Sequence, residues 1–319
     1  MRKFIVLLVL LFFVQTGILN SQSFKNYNQE LKNESITIDM IAVQGGTFLM
    51  GTNDASRNEN EKPQHEVLVD DFWMGKYEIT WEQYDTFVFG KFGPEQFKPV
   101  SELQDLGVDA VSGATAPYVD MSFDMGKKTN PAVNMTQYGA IMYCKWLTSK
   151  TGFFYRLPTE SEWEYVCKTG KTDKESDLAS IAWFDRNTNE KYEKTGQKKA
   201  NDLGIHDLLG NVSEWVMDQY NADYYKTSPK ENPWNTPTDL YPRVVRGGSW
   251  KDTKDKLCCT SRGQSEQKWK RRDPQIPKSD WWHTNAPFVG FRVVRPKNQP
   301  SAEEIKKYWL TAIEDYGMN

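Results

Sequence analysis

Between Asn201 and Trp215 the chain reads Asn-Asp-Leu-Gly-Ile-His-Asp-Leu-Leu-Gly-Asn-Val-Ser-Glu-Trp, and oxygen-bearing residues alternate there with apolar ones. Asp207, Gly210, Asn211 and Glu214 are interleaved with Leu208, Leu209, Val212 and Trp215. A short loop anchored by the apolar set would therefore aim its oxygens at one point. Calcium takes about six to eight oxygen ligands, and a glycine lets such a loop turn its carbonyls inward. Such a loop could offer one calcium ion carboxylates from Asp207 and Glu214 and carbonyls from Gly210 and Val212, but taken alone the pattern is weak. The same residues also suit an ordinary turn in which Asn211 bonds its own backbone and Glu214 caps a following helix.

Thiols are the second reactive set. Cys144, Cys167, Cys258 and Cys259 allow two bridges, one or none. On a strand the adjacent Cys258 and Cys259 would face opposite ways, so each would bond elsewhere than to the other. Farther on, Trp269-Lys-Arg-Arg-Asp-Pro-Gln-Ile-Pro-Lys-Ser-Asp-Trp-Trp-His-Thr284 mixes aromatic and basic residues. These types dominate binding hot spots, so Trp269, Arg271, Arg272, Trp281 and Trp282 are candidates for a recognition surface. Core tryptophans beside a solvated arginine face fit equally well. Asp252, Asp255, Asp280 and His283 could gather around a transition metal, although no spacing requires it. His65, alone beside a strand, reads as structural.

Length and composition bound what can hold these groups. The chain has 319 residues, with 40 basic against 43 acidic and a net charge of −3, so it carries no electrostatic footprint for nucleic acid. Twelve Trp, fifteen Tyr and sixteen Phe in a hydrophilic chain point to a core built from aromatics among long loops. Residues 1–21 read as a secretory signal: Arg2 and Lys3 precede an apolar run from Phe4 to Val14, and Gly17 to Ser21 form the exit. That run is shorter than the roughly 20 residues a membrane span needs. A secreted or periplasmic protein without a membrane span after cleavage is expected.

Along the rest, residues 22–35 read as a polar arm. Ile41-Ala-Val-Gln-Gly-Gly-Thr-Phe-Leu-Met-Gly51 gives a hairpin signal at Gly45-Gly46, and His65 to Met74 reads as one strand. Thr80 with Gln83, and Thr159 with Glu162, spell capping boxes, and Trp163 would face inward. Gly90 to Asn130 has no periodicity and reads as an excursion or a lid. Thr136 to Lys150 is the clearest helix, closed by Gly152. Residues 297–319 read as a linker followed by an amphipathic helix opened by Ser301 and Glu304, with Ile305, Trp309 and Ile313 on one face.

Six ordered motifs carry a resemblance. Gly45-Gly-Thr-Phe-Leu-Met-Gly51, Lys76-Tyr-Glu-Ile-Thr80, Arg156-Leu-Pro-Thr-Glu-Ser-Glu-Trp-Glu-Tyr165, Gly210-Asn-Val-Ser-Glu-Trp215, Arg246-Gly-Gly-Ser-Trp250 and Gly290-Phe-Arg292 occur in sequence. Together they resemble the domain of formylglycine-generating enzymes, or sulfatase-modifying factors. The resemblance spans residues 36–296 and implies a single compact, loop-rich α+β domain, distantly similar to C-type lectin domains and stabilised by calcium. It favours the calcium reading of Asp207, Gly210, Val212 and Glu214. The family's other calcium site is left open, because Ser180 to Ala200 lacks the Asp-Gly-Phe pattern.

Enzymes of the family oxidise a sulfatase cysteine to formylglycine with oxygen and a copper ion held by two cysteines that follow the Gly-Gly-Ser motif. Here Ser249 matches the family's site serine, but Asp252 stands where the first copper cysteine belongs. Cys259 falls on a disulfide position whose partner corresponds to Cys167, so the resemblance implies a Cys167–Cys259 bridge. Soft thiolates select Cu(I), and the expectation is therefore against copper while leaving another transition metal open. The first reading is a non-catalytic module that binds a protein, a peptide or a small ligand. The second is an oxygen- or metal-dependent oxidase with Ser249, Asp252, Cys258 and His283 drawn together in a rearranged site. A true formylglycine-generating enzyme would require a different placement of the cysteines.

Overall fold

The computed structural model describes residues 24–31, 34–90, 119–172, 177–272 and 283–309, with the side chains of residues 270–272 left out. The signal-like stretch, most of the Gly90 excursion, Trp281, Trp282 and Ile313 lie outside the described residues, as do the side chains of Arg271 and Arg272.

Two four-stranded sheets and a two-stranded ribbon organise the chain. The first sheet runs β1 (Tyr27–Leu31), β2 (Ile36–Val43), β5 (Phe72–Gly75), β10 (Val294–Pro296), all antiparallel. The ribbon pairs β3 (Gly46–Met50) with β4 (His65–Val69). The second sheet runs β8 (Arg262–Gln264), β7 (Arg243–Arg246), β6 (Ser213–Gln219), β9 (Val289–Gly290), with β6 and β9 parallel. Among the described residues five helices complete the frame: α1 (Trp81–Val88), α2 (Gln137–Thr151), α3 (Glu160–Thr169), α4 (Leu178–Ile181) and α5 (Ala302–Trp309).

Strand alternation splits the interior into two cores. From β2 and β5, Ile38, Met40 and Trp73 enter one core, and Ile41, Val43, Phe72 and Met74 enter the other. In the second sheet Trp215, Met217 and Val245 face the first core, while Val216 and Val244 face the second. With both faces covered, β6 is buried along its whole length, its polar Ser213, Glu214, Asp218 and Gln219 included. The first core is aromatic as expected, with Tyr84, Phe87, Tyr143 and Phe291 in mutual ring contact.

Local signals read from the sequence hold for the helices. Thr80 and Thr159 close capping boxes with Gln83 and Glu162, Thr136 caps α2, and Gly152 ends it in the left-handed region. Ser301 and Glu304 exchange the equivalent bonds at the start of α5, whose Ile305 and Trp309 are buried in the first core. Strand partners differ from expectation. Gly45-Gly46 does not turn a hairpin; it passes the chain from the first sheet to the ribbon. Gly45 donates to Asp71 Oδ1 at 2.7 Å, and a Cβ there would stand 2.3 Å from the Val69 carbonyl oxygen, so close backbone approach explains the glycine. Likewise His65 to Met74 is two strands broken at Asp70-Asp71, each in a different sheet. The stretch expected to be a polar arm supplies β1, which pairs with β2 along five residues.

Candidate functional site

The Asn201–Trp215 loop is welded to the Gly247-Gly248-Ser249 turn. Gly210 N donates to Gly247 O at 3.0 Å, and Trp250 N donates to Asn211 O at 2.8 Å. Both contacts need glycine. Gly210 and Gly247 have φ of +79° and +94°, and a Cβ would meet the Trp183 carbonyl at 2.2 Å or the Leu208 carbonyl at 2.6 Å.

Beneath this joint lies a buried charge cluster. Arg292 grips both oxygens of Glu214, with its Nε at 2.7 Å, and also donates to the carbonyls of Gly75 and His206. Trp163 Nε1 donates to the same carboxylate at 2.9 Å. Glu78 accepts from Asn211 Nδ2 at 2.9 Å and from Val212 N at 3.2 Å. Asp207 accepts from Gly196 N at 2.6 Å through Oδ2, while its buried Oδ1 has no partner. Burial, then repulsion from Asp207 and Glu214, pushes the Glu78 carboxyl well up. Burial raises Asp207 to about 6.

Three carboxyl groups crowd around the single guanidinium of Arg292, and the orphaned oxygen of Asp207 fits a cation. Glu214 fits less well, because both its oxygens are engaged by Arg292 and Trp163. It also lies in a strand, so it caps no helix. Among the described residues no group of three His, Cys, Asp or Glu is placed to hold a metal ion. Of the expected calcium carboxylates, only Asp207 keeps an oxygen without a hydrogen-bond partner.

A second ionic network braces the neighbouring wall. Arg246 bridges Glu160 (3.0 Å) and Glu164 (2.7 Å), and Arg262 holds Glu160 through two bonds of 2.8 and 2.9 Å. Asp218 accepts from the backbone N–H of Glu160 and of Asn235, at 2.7 and 2.9 Å. Burial, with Glu160 nearby, raises its carboxyl to about 8. Cys167 and Cys259 are disulfide-bonded, Cα to Cα 5.5 Å, and tie α3 to the segment entering β8.

On this wall opens a pocket of about 640 Å³, lined by the Gly247–Lys256 turn, β8, Trp269 and Phe288. Asp252 lines it and accepts from Ser249 Oγ at 2.6 Å. Lys251 and Lys256 also line it, and Lys251 Nζ lies 3.0 Å from the centroid of the Phe288 ring. Trp269 is both core and lining: it packs on Trp215 and Phe288 at 5.8 and 5.3 Å while facing the pocket.

The other two residues expected here, Cys258 and His283, are not among those lining this pocket. His283 bridges to Met135 and lines a separate depression of about 270 Å³ with Trp81, Tyr84 and Asp85. Cys258 lies next to the disulfide, its Sγ 3.5 Å from Thr260 Oγ1, and Thr260 in turn bonds Glu61. Cys259 is consumed by the disulfide and Cys144 is buried within α2, so no second thiol joins Cys258. His65, half-buried, contacts the Pro63 carbonyl and the Tyr225 ring. Sequence reasoning gave no role to Glu78, Arg292, Lys251 or Lys256. Arg292 had a usable signal, a lone charge in the apolar run from Phe288 to Val294.

Comparison with known proteins is consistent with this geometry. The model of the sulfatase-modifying factor enzyme 1-like domain matches residues 26–297. Serine/threonine-protein kinase Pkn1 of Chlamydia trachomatis serovar L2 is 31% identical over 244 residues, which are 73% of this chain but 37% of the kinase. The chain thus spans little more than a third of that relative. The formylglycine-generating enzyme of Mus musculus is 28% identical over 272 residues, covering 71% of this chain and 70% of the enzyme. PvdO from Pseudomonas aeruginosa shares the fold, with a TM-score of 0.61 at 21% identity over 85% of this chain and 98% of PvdO. From the span of the matching domain and this shared α+β frame, the chain belongs to the sulfatase-modifying factor enzyme 1-like family.

Proposed function

We propose that this chain is an exported member of the family whose pocket captures a ligand without oxidising it. The observation that carries the reading is Asp252. It sits in the pocket, held by Ser249 at 2.6 Å, where the family resemblance puts the first copper thiolate. A carboxylate is a hard ligand and does not replace a thiolate on Cu(I). The free thiols do not compensate, since Cys144 is buried, which drives its pKa up, and Cys258 is bonded to Thr260 outside the pocket lining.

Export is supported by the signal-like residues 1–21 and by the Cys167–Cys259 bridge, a bond that persists in oxidising compartments. Among the described residues no helix is long and apolar enough to cross a membrane. Calcium at Asp207 belongs to the same proposal, as counter-charge for the buried carboxylates. The alternative, an oxidase with another metal at Asp252, keeps the Ser249–Asp252 pair but lacks His283, which lines a different depression.

A competition titration of the disulfide-intact protein with Cu(I) and a colorimetric chelator tests the reading. Wild type and Asp252→Ala should yield copper to the chelator alike. Stoichiometric copper retained by wild type and lost in Asp252→Ala would overturn it.

A further inference from the structure

The pocket also bears on the class of ligand, an inference that rests on the binding reading above. One wall is β8, which among the described residues is an edge strand paired only with β7. Ser265 N donates to Arg243 O at 2.7 Å, and the register sets Gly263 opposite Val245. Antiparallel alternation then directs the peptide groups of Gly263 to β7 and those of Arg262 and Gln264 to the free side. Such an edge is a template for another extended chain.

Charge and apolar surface beside this edge are specific. Lys251 and Lys256 are exposed on the facing turn, and neither forms a salt bridge among the described residues. Lys268, by contrast, is neutralised by Glu266 at 2.6 Å. Asp252 keeps one negative charge, oriented by Ser249, against the two lysines, so the balance available to a ligand is positive. Trp269 and Phe288 add aromatic surface to the same pocket.

We propose that the pocket binds an extended acidic peptide. Its main chain pairs with the free edge of β8, an Asp or Glu side chain lies between Lys251 and Lys256, and an apolar neighbour packs against Trp269. Successive side chains of an extended chain point to opposite faces, so acidic and apolar contacts fall at different positions of the peptide. A volume of about 640 Å³ accommodates a short stretch of such a chain.

Fluorescence polarisation tests this with full-length mature protein and labelled seven-residue peptides that differ only at the central position, Glu, Gln or Lys. The Glu peptide should bind at least tenfold more tightly than the Gln peptide. That preference should vanish in the Lys251→Gln/Lys256→Gln double variant and persist in Lys307→Gln, which alters an exposed lysine of α5. Methylating alternate backbone nitrogens of the Glu peptide should abolish binding. Equal binding of Glu and Gln peptides, preference for Lys, unaltered binding by the double variant, no retention of any peptide, or indifference to backbone methylation would each overturn the proposal. Displacement by a sulfated polysaccharide at lower concentration than by the Glu peptide would also overturn it, in favour of a polyanion site. The broader reading fails separately, through turnover of a cysteine substrate; without turnover, loss of acidic preference removes the ligand class alone.

Discussion

Asp207 meets Glu78 and Glu214 around Arg292, and the consequence for stability has a definite sign. Its carboxyl ordinarily titrates at 3.8 and is raised to about 6 by burial. A raised carboxylate contributes stability that is full below the unfolded pKa and lost as pH rises through the folded one. Each unit corresponds to about 1.4 kcal/mol, so the penalty at neutral pH is roughly 3 kcal/mol. Asp207→Asn should therefore raise the neutral-pH melting temperature in EDTA and reduce the fall in stability between pH 5 and 7.5. Asp218, raised to about 8, keeps the remaining slope. Calcium should stabilise wild type more at pH 7.5 than at pH 5 and leave Asp207→Asn unmoved; an equal calcium shift in both proteins would remove the site. Glu214→Ala strands Arg292 in the interior, and breaking a buried pair costs about 3–5 kcal/mol, readable as a lower urea midpoint. The importance of Glu214 was legible in its loop, but its partner was not, because Arg292 arrives from the far end of the domain.

Helix boundaries were legible because their determinants are local. Thr159 and Glu162 lie three residues apart and each satisfies a backbone N–H of the other, the hydroxyl at 3.2 Å and the carboxylate at 2.9 Å. Thr159→Ala should lower stability by about 1 kcal/mol, the usual worth of an N-cap, measured by chemical denaturation; no change would mean the cap is dispensable in α3. Strand partners were not legible. Ile41 to Gly51 carries apolar runs on either side of two glycines, which fits a hairpin and a transfer between sheets equally. What decides is the Asp71 carboxylate on Gly45 N and the adjacent Asp70, both supplied by a later segment. The polar stretch from Tyr27 to Leu31 was misleading for a related reason, since an edge strand can leave one face in solvent.

For the whole molecule, the α+β frame followed from six ordered motifs, whereas the pocket had no continuous signature. Its walls come from residues 247–256, 261–269 and 285–288, brought together by sheet order and by the Cys167–Cys259 bridge. That bridge spans 92 residues, and removing a native disulfide costs about 2–5 kcal/mol. Cys167→Ala/Cys259→Ala should lose stability in that range, and peptide mapping without reduction should recover the linked pair. Ser249 and Asp252 are paired beside this pocket, whereas His283 lines a different depression and Cys258 contacts Thr260, a separation that sequence spacing does not reveal. The most direct measurement follows from this separation. Folded mature protein is supplied with Cu(I), oxygen, a reductant and a Cys-x-Pro-x-Arg peptide, and formylglycine is sought by mass spectrometry. The expected result is an unchanged peptide; conversion over many turnovers would contradict the binding role and require a copper site built on Cys258.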